Sequence, residues 1–278
     1  MKENNNIDNE TVEGFGDEWM RFDQRSLNAA IRERIFDDYF SVFPWDLVKC
    51  DSIGADIGCG SGRWAAVVAP RVGKLLLIDA SGDAIGVARK NLEDMSNVRF
   101  YQTSIEVLPV KDATLDFAYS LGVLHHVPDT AAAICSISKK LKRGAPFLVY
   151  LYYSFDNRGA LFRGLWRVSD IVRRMVSRMP FGLRYWASQV LALLIYWPLA
   201  RTALLINLFG ISCANWPLAY YKDKPFYVLR TDALDRFGTR LEKRFSRDEI
   251  TAMLTKAGFI GIRFSSKPPY WVAVGLKG

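Results

Sequence analysis

Three alternating glycines, Gly58, Gly60 and Gly62, follow the apolar run that ends at Asp56 and Ile57 in "IGADIGCGSGRWAAVVA". Glycines in this pattern let a backbone turn sharply and approach a ligand closely. A second carboxylate, Asp79, closes the next apolar run about twenty residues on, where a carboxylate can accept both hydroxyls of a ribose. The chain's two histidines, His125 and His126, stand side by side in "LGVLHHVPD", just past a further apolar run. An imidazole there can take a proton near neutral pH, or it can serve to shape the turn into the following helix.

Such residues do chemistry only if the chain brings them to one edge. Apolar runs "IGADI", "KLLLID", "VRFYQ", "LDFAYS" and "APFLVYLYY" alternate with helical patterns, the spacing of a parallel sheet covered on both faces. "SRDEITAMLTKAGF" reads as a last helix, capped by Ser246 and stopped at Gly258, ahead of two closing strands. The carboxyl edge of such a sheet is where α/β ligands bind. Asp79 and the histidines both fall there.

The spacing also narrows the ligand. A dinucleotide fingerprint needs a third glycine for close helix–strand packing, and here that position holds Arg63. A phosphate-cradling loop ending in Gly-Lys-Ser/Thr is absent. The loop therefore suits a ligand that carries a ribose without a pyrophosphate.

In order, these segments resemble the class I S-adenosylmethionine-dependent methyltransferases, in the group that contains the ubiquinone and menaquinone methyltransferases. The resemblance runs from about Asp51 to Tyr153 and from Arg244 to Gly278. It implies an α/β, Rossmann-like seven-stranded sheet, parallel with a C-terminal antiparallel strand, flanked by helices and carrying a helical insertion after the fifth strand. In "ADIGCGSGRW" it implies that Asp56, Gly58, Cys59, Gly60 and Arg63 meet the methionine end of S-adenosyl-L-methionine. In "LLLIDAS", Asp79 and Ala80 would hold the ribose. "TSIEVLP" brings Ser104 and Ile105 to the adenine, with Ser104 where the family often has Asp. In "LDFAYSLGVLHHVPD", Ser120 and Leu121 would flank the cofactor. "LKRGAPFLV" corresponds to the family's LKPGG strand, departing at Arg143 and Ala145. "GFGDEWMRFD" resembles N-terminal stretches that close over the cofactor, so Trp19 either covers it or anchors its own helix. Arg63 either neutralises the methionine carboxylate or is a surface arginine. The product would be S-adenosyl-L-homocysteine, and His125 or His126 is the candidate base.

The alternation of strands and helices stops for about ninety residues, far longer than an ordinary connection. This insertion holds Arg158, Arg163, Arg167, Arg173, Arg174, Arg178, Arg184 and Arg201, most of the positive excess in a chain of net charge +8. Arg163, Arg167, Asp170, Arg174 and Arg178 share one helical face, with Phe162, Leu165, Trp166, Val172, Met175, Val176 and Met179 on the other. Two readings stay open: a helical lid whose apolar faces pack inward with its arginines solvated, or a peripheral membrane contact through residues 158–201. The apolar run "VLALLIYW" is expected to stop at Pro198 and Arg201, too short to span a bilayer. From its place after the fifth strand, the insertion is expected to lie over the acceptor site and set substrate choice.

The expected organisation is a disordered tail over 1–13, an N-terminal helical cap over 14–50, a core over 51–153 and 244–278, and an insertion over 154–243. The polar start "MKENNNIDNETVE" has no apolar stretch of a secretory signal. Cys50, Cys59, Cys135 and Cys213 lack the CxxC spacing of a zinc site or disulfide scaffold. A cytoplasmic protein without a metal is expected, membrane-peripheral on the second of the two readings of the insertion. The expected reaction is methyl transfer to a small, lipophilic or glycan-linked acceptor, a hydroxyl oxygen first and a ring carbon next. A catalytically silent cofactor-binding partner subunit and an RNA-binding methyltransferase are the alternatives. The [ND]PP[YF] tetrad of base and amide methylation is missing: "SLGV" stands in its place, and Pro268 to Tyr270 is expected to be a turn.

Overall fold

Why the glycine loop and the histidine pair meet follows from the strand order. The computed structural model describes residues 6–25, 28–156, 159–213 and 216–278. The chain divides into two units, Met1–Asp156 with Leu241–Gly278, and Asn157–Arg240. In the first, β1 (Ile53–Ile57), β2 (Lys74–Asp79), β3 (Val98–Gln102), β4 (Phe117–Leu121) and β5 (Pro146–Tyr150) run parallel. β7 (Val272–Lys277) runs antiparallel between β5 and β6 (Phe259–Phe264), giving the order β3-β2-β1-β4-β5-β7-β6. The order reverses between β1 and β4. In open α/β sheets, ligands bind at such a switch point, outside the carboxyl ends of the strands. The glycine loop follows β1 and the histidines follow β4.

The strands between the edge strands β3 and β6 are buried because they are apolar on both faces. Ala55, Ile57, Leu76, Ile78, Ala118, Phe147 and Val149 form a continuous core with Ile134 and Ile137 of α5 (Thr130–Lys140) and Ile250 and Leu254 of α10 (Arg247–Lys256). Side chains set where the helices begin. Ser81 accepts the Ala84 amide at the start of α4 (Gly82–Asn91), and Asp129 accepts the Ala132 amide at the start of α5. Ser246 and Glu249 form the reciprocal capping box expected from "SRDE".

The N-terminal expectation needs correction. Residues 1–5 lie outside the described residues, but α1 spans Asn9–Arg21, so residues 9–13 are helical. Low hydrophobicity makes this stretch read as a tail; tertiary contacts order it instead. The Asn6 amide donates to Glu106 and to the Asp129 carbonyl, and Asn6 Oδ1 accepts the Asp129 amide at 2.6 Å. Gly16 packs against the start of α4, where an added Cβ would lie 2.8 Å from Ser81 Oγ. The next helix, α2 (Ala29–Phe40), begins after Asn28, whose side chain caps the Ala30 amide. After the glycine loop, α3 (Ala65–Val68) is a single turn, passing at Ala69–Pro70–Arg71 into a 3₁₀ turn.

The insertion is three residues shorter at each end than expected. Residues 154–156 and 241–243 join the first unit: the Ser154 amide donates to the Phe245 carbonyl and the Lys243 amide to the His125 carbonyl. Within the second unit, α6 spans Ala160–Val176 and α9 spans Phe226–Gly238. Between them, α7 (Phe181–Leu191), a π-helical turn (Ala192–Tyr196) and α8 (Trp197–Leu208) form one continuous helix of 28 residues. This corrects the expected break at Pro198 and Arg201: by length and composition the helix is long and apolar enough to cross a membrane. Pro198 sits in the first turn of α8, directly after the π turn, where the widened hydrogen-bond pattern accommodates its missing donor. The unit has its own core of Val176, Ala192, Tyr196, Ala200, Leu229, Ala233 and Phe237.

Candidate active site

Gly58, Gly60 and Gly62 all take positive φ, at 76°, 53° and 75°. That left-handed backbone is what glycine allows cheaply. The turn's amides are already committed. Gly58 and Cys59 donate to the Ile78 carbonyl, Gly62 donates to the Cys59 carbonyl, and Gly60 donates to Asp79 Oδ2 at 2.9 Å. A nest for pyrophosphate needs amides of this kind pointing at the ligand. Here those four point into the chain, consistent with a ligand that brings no pyrophosphate.

Asp79 ends β2 with one oxygen on the Gly60 amide and the other on the Ser81 amide, each at 2.9 Å. Each oxygen keeps a second lone pair for a hydroxyl donor. Burial raises its pKa, opposed by hydrogen bonds from the Ser81, Gly60 and Ala80 backbone. Ala80 follows it, half-buried.

Asp56 lies deeper. It is 1% exposed, and its carboxyl accepts the Tyr119 hydroxyl at 3.0 Å. Burial lifts its pKa from 3.8 to about 8, against the opposing Tyr119 hydrogen bond and with a further push from the Asp79 charge. It therefore forms the floor of the loop. Ser120 is likewise spent, donating to the Ile57 carbonyl at 2.8 Å across β1 and β4. The Cys59 thiol is buried, and burial, Asp79 and Asp56 push its pKa well up, so it stays protonated. Ser104 is buried ahead of the turn Ile105–Val107, Ile105 is half-buried, and Leu121 is buried at the end of β4.

Trp19 and Arg63 form one structure above the loop. A Cβ on Gly60 would lie 2.7 Å from Trp19 Cε2, so the indole rests on the glycine. The Arg63 guanidinium lies 5.6 Å from the Trp19 ring centroid and 4.4 Å from that of Trp64. Further along α1, Phe15 lies 4.9 Å from the His126 ring. α1 thus runs from the glycine loop to the histidines.

Both imidazoles are buried. His126 Nδ1 pairs with the Leu241 carbonyl at 2.7 Å. His125 stacks on Tyr152 at 3.9 Å and touches His126 at 4.0 Å, and neither of its ring nitrogens has a hydrogen-bond partner among the described residues. Burial, then the charges of His126 and Arg244, lower its pKa well below 6.5. His125 is therefore a neutral imidazole at physiological pH. Two residues of this site escaped the sequence reading: Tyr119, hidden in an apolar strand, and Ser61, whose buried hydroxyl has no partner among the described residues.

Residues 55–149 match the methyltransferase domain family. Over that span the chain carries a methyltransferase domain. An uncharacterized methyltransferase, YcgJ, of Bacillus subtilis is 31% identical over 101 residues, 36% of this chain and 40% of that protein. A ubiquinone biosynthesis O-methyltransferase of Hahella chejuensis is 33% identical over 105 residues, 37% of this chain and 42% of that protein. The chain thus spans about two fifths of the length of these relatives. In fold, a SAM-dependent methyltransferase from Methanosarcina mazei aligns with a TM-score of 0.51 at 17% identity, over 84% of this chain and 95% of that one.

The residues present fit S-adenosylmethionine as the methyl donor of such a domain. Asp79 keeps lone pairs for the ribose, the Ser61 hydroxyl is unspent, and the loop offers close approach without a phosphate nest.

Proposed function

We propose that this chain transfers a methyl group to a small or lipophilic acceptor, to a hydroxyl oxygen first and to a ring carbon next. The observation that carries the reading is the unpartnered, neutral His125 beyond β4, beside a glycine loop and a ribose-type carboxylate at the same switch point. When bound, S-adenosylmethionine supplies an electrophilic methyl on a sulfonium. Asp79 binds the ribose hydroxyls, and Arg63, backed by Trp19 and Trp64, neutralises the methionine carboxylate. Trp19 and α1 cover the loop and exclude water. His125 accepts the acceptor hydroxyl's proton at a ring nitrogen, neither of which has a hydrogen-bond partner among the described residues. The named activity of the Hahella relative supports oxygen as the methylated atom. The helical unit, inserted between β5 and α10, sets substrate choice, and the enzyme works in the cytoplasm at a membrane surface.

Titration calorimetry with S-adenosylmethionine and S-adenosylhomocysteine tests the cofactor. Mass spectrometry of catechol and hydroquinone acceptors after incubation tests transfer. Heat of binding with a singly methylated oxygen product is the expected result. Heat without turnover on any acceptor would favour a silent partner subunit, and no heat would overturn the reading.

A further inference from the structure

A helix on the surface of a soluble protein turns its apolar stripe inward. α6 does so only in part: Val176 sits in the unit's core with Val172 packed against it, but four other large apolar side chains face out. Its buried side carries the Asp170–Arg173 ion pair at 2.7 Å, with Arg173 also donating to the Thr239 carbonyl. Leu165, Val168, Ile171 and Met175, three to four residues apart, are exposed. Arg163, Arg167, Arg174 and Arg178 form an exposed stripe beside them. The face expected to be apolar is thus divided, with Val172 and Val176 inward and Leu165 and Met175 outward, while Asp170 of the charged face pairs with the buried Arg173 and with Arg174.

The continuous α7–α8 helix is divided in the same way. Ser188, Ala192, Tyr196, Ala200 and Ala203 lie on its buried stripe, all but Tyr196 small. Large ones face out: Trp186 is 67% exposed, Leu194 66% and Leu208 71%. Apolar surface displayed on this scale marks an interaction site.

Charge says what the site meets. Residues 157–240 contain eleven arginines and two lysines against four aspartates, a net +9 where the whole chain carries +8. A second copy would set +9 against +9 across the contact, whereas an anionic surface complements it. The α7–α8 helix does not stand upright in a bilayer. Arg230 donates to Tyr185 and Gln189, and Arg201 donates to the Lys222 and Lys224 carbonyls. Crossing would carry those charged partners into hydrocarbon. Lying flat keeps them in water and puts only the outward stripe in lipid. We infer that the helical unit is a monotopic docking module for anionic phospholipid bilayers, with the outward stripes of α6 and α7–α8 in the acyl boundary and the α6 arginines on lipid phosphates.

Co-sedimentation of the full chain with vesicles of equal parts phosphatidylglycerol and phosphatidylcholine, against phosphatidylcholine alone, tests this. Pelleting is expected with the anionic vesicles only, and it should fall as salt rises. Each arginine near such a surface is worth about fivefold in partitioning, so Arg167→Gln with Arg174→Gln should weaken binding more than tenfold. Leu194→Asn with Leu208→Asn should also release the protein, while its melting temperature, set by the buried stripe, stays unchanged. Absence of pelleting at low salt would overturn the inference, as would pelleting indifferent to the leucine pair. So would a stable dimer by analytical ultracentrifugation that the leucine pair dissociates.

Discussion

The amide of Gly60 donates to Asp79 Oδ2 across 2.9 Å, so the carboxylate that ends β2 also holds the turn that follows β1. One side chain thus shapes the loop and offers the ribose contact. Asp79→Ala should weaken S-adenosylmethionine binding at least tenfold, since it removes a charge-assisted contact. It should also lower stability by about 2 kcal/mol, because the Gly60 and Ser81 amides lose a charged acceptor. Calorimetry and thermal melting read the two effects separately. Unchanged affinity with a lowered melting temperature would leave Asp79 a purely structural residue.

The Trp19 indole makes Gly60 doubly constrained. Gly60→Ala places a Cβ in a left-handed backbone, at a cost of about 1–2 kcal/mol, and also 2.7 Å from Trp19 Cε2. Only the second penalty depends on the tryptophan. In a Trp19→Ala background, Gly60→Ala should therefore cost measurably less, by about 1 kcal/mol. A double-mutant cycle by urea denaturation checks this, and strict additivity would separate Trp19 from the loop.

How legible these features were in the sequence depended on whether neighbours along the chain or across the fold determine them. The strands were readable because most are continuous apolar runs, and the carboxyl edge followed from them; the strand order and its switch point came only with the structure. Asp79 stood out because it ends a strand. Tyr119 did not: inside an apolar strand, nothing local distinguishes a tyrosine that bonds a buried carboxyl from one that only packs. Nor did the polar stretch at 9–13 reveal its helix, which depends on Asn6, Gly16 and distant partners in α4 and α5. The apolar and charged stripes of α6 were visible, but not that Asp170 turns inward, because Asp170 and Arg173 settle that only when paired. Pro198 misled for a local reason, the upstream π turn, which has no sequence signature of its own.

Asp56 gives stability an unusual pH slope. Its pKa rises from 3.8 unfolded to about 8 folded, so between those values the native state binds the extra proton. Stability from this group is complete below 3.8 and is lost as pH climbs through 8. Asp56→Asn keeps an acceptor for Tyr119 without the charge. Relative to the parent, it should gain stability as pH rises from neutrality to above 8, by a few kcal/mol at most. Melting temperatures across pH 5 to 9 check the sign, and parallel curves for parent and variant would contradict it.

His125 carries the proposed proton transfer, and its lowered pKa makes two measurements diverge. Because burial holds the folded pKa well below 6.5, the unfolded state binds the proton first as pH falls. Stability from this group is thus complete above 6.5 and declines below it, the opposite slope to Asp56. Turnover should stay on its plateau through neutrality, because the base is already unprotonated there, and should fall only in acid. His125→Gln should lower kcat by about 10²- to 10⁴-fold while leaving S-adenosylmethionine affinity unchanged, and should abolish the acid limb of the kcat profile. A variant that retains that limb with a proportionate loss of folded protein would make His125 a packing residue under Tyr152. His126→Gln tests the neighbour: by disturbing the pairing with the Leu241 carbonyl it should lower the melting temperature and leave the pH profile in place.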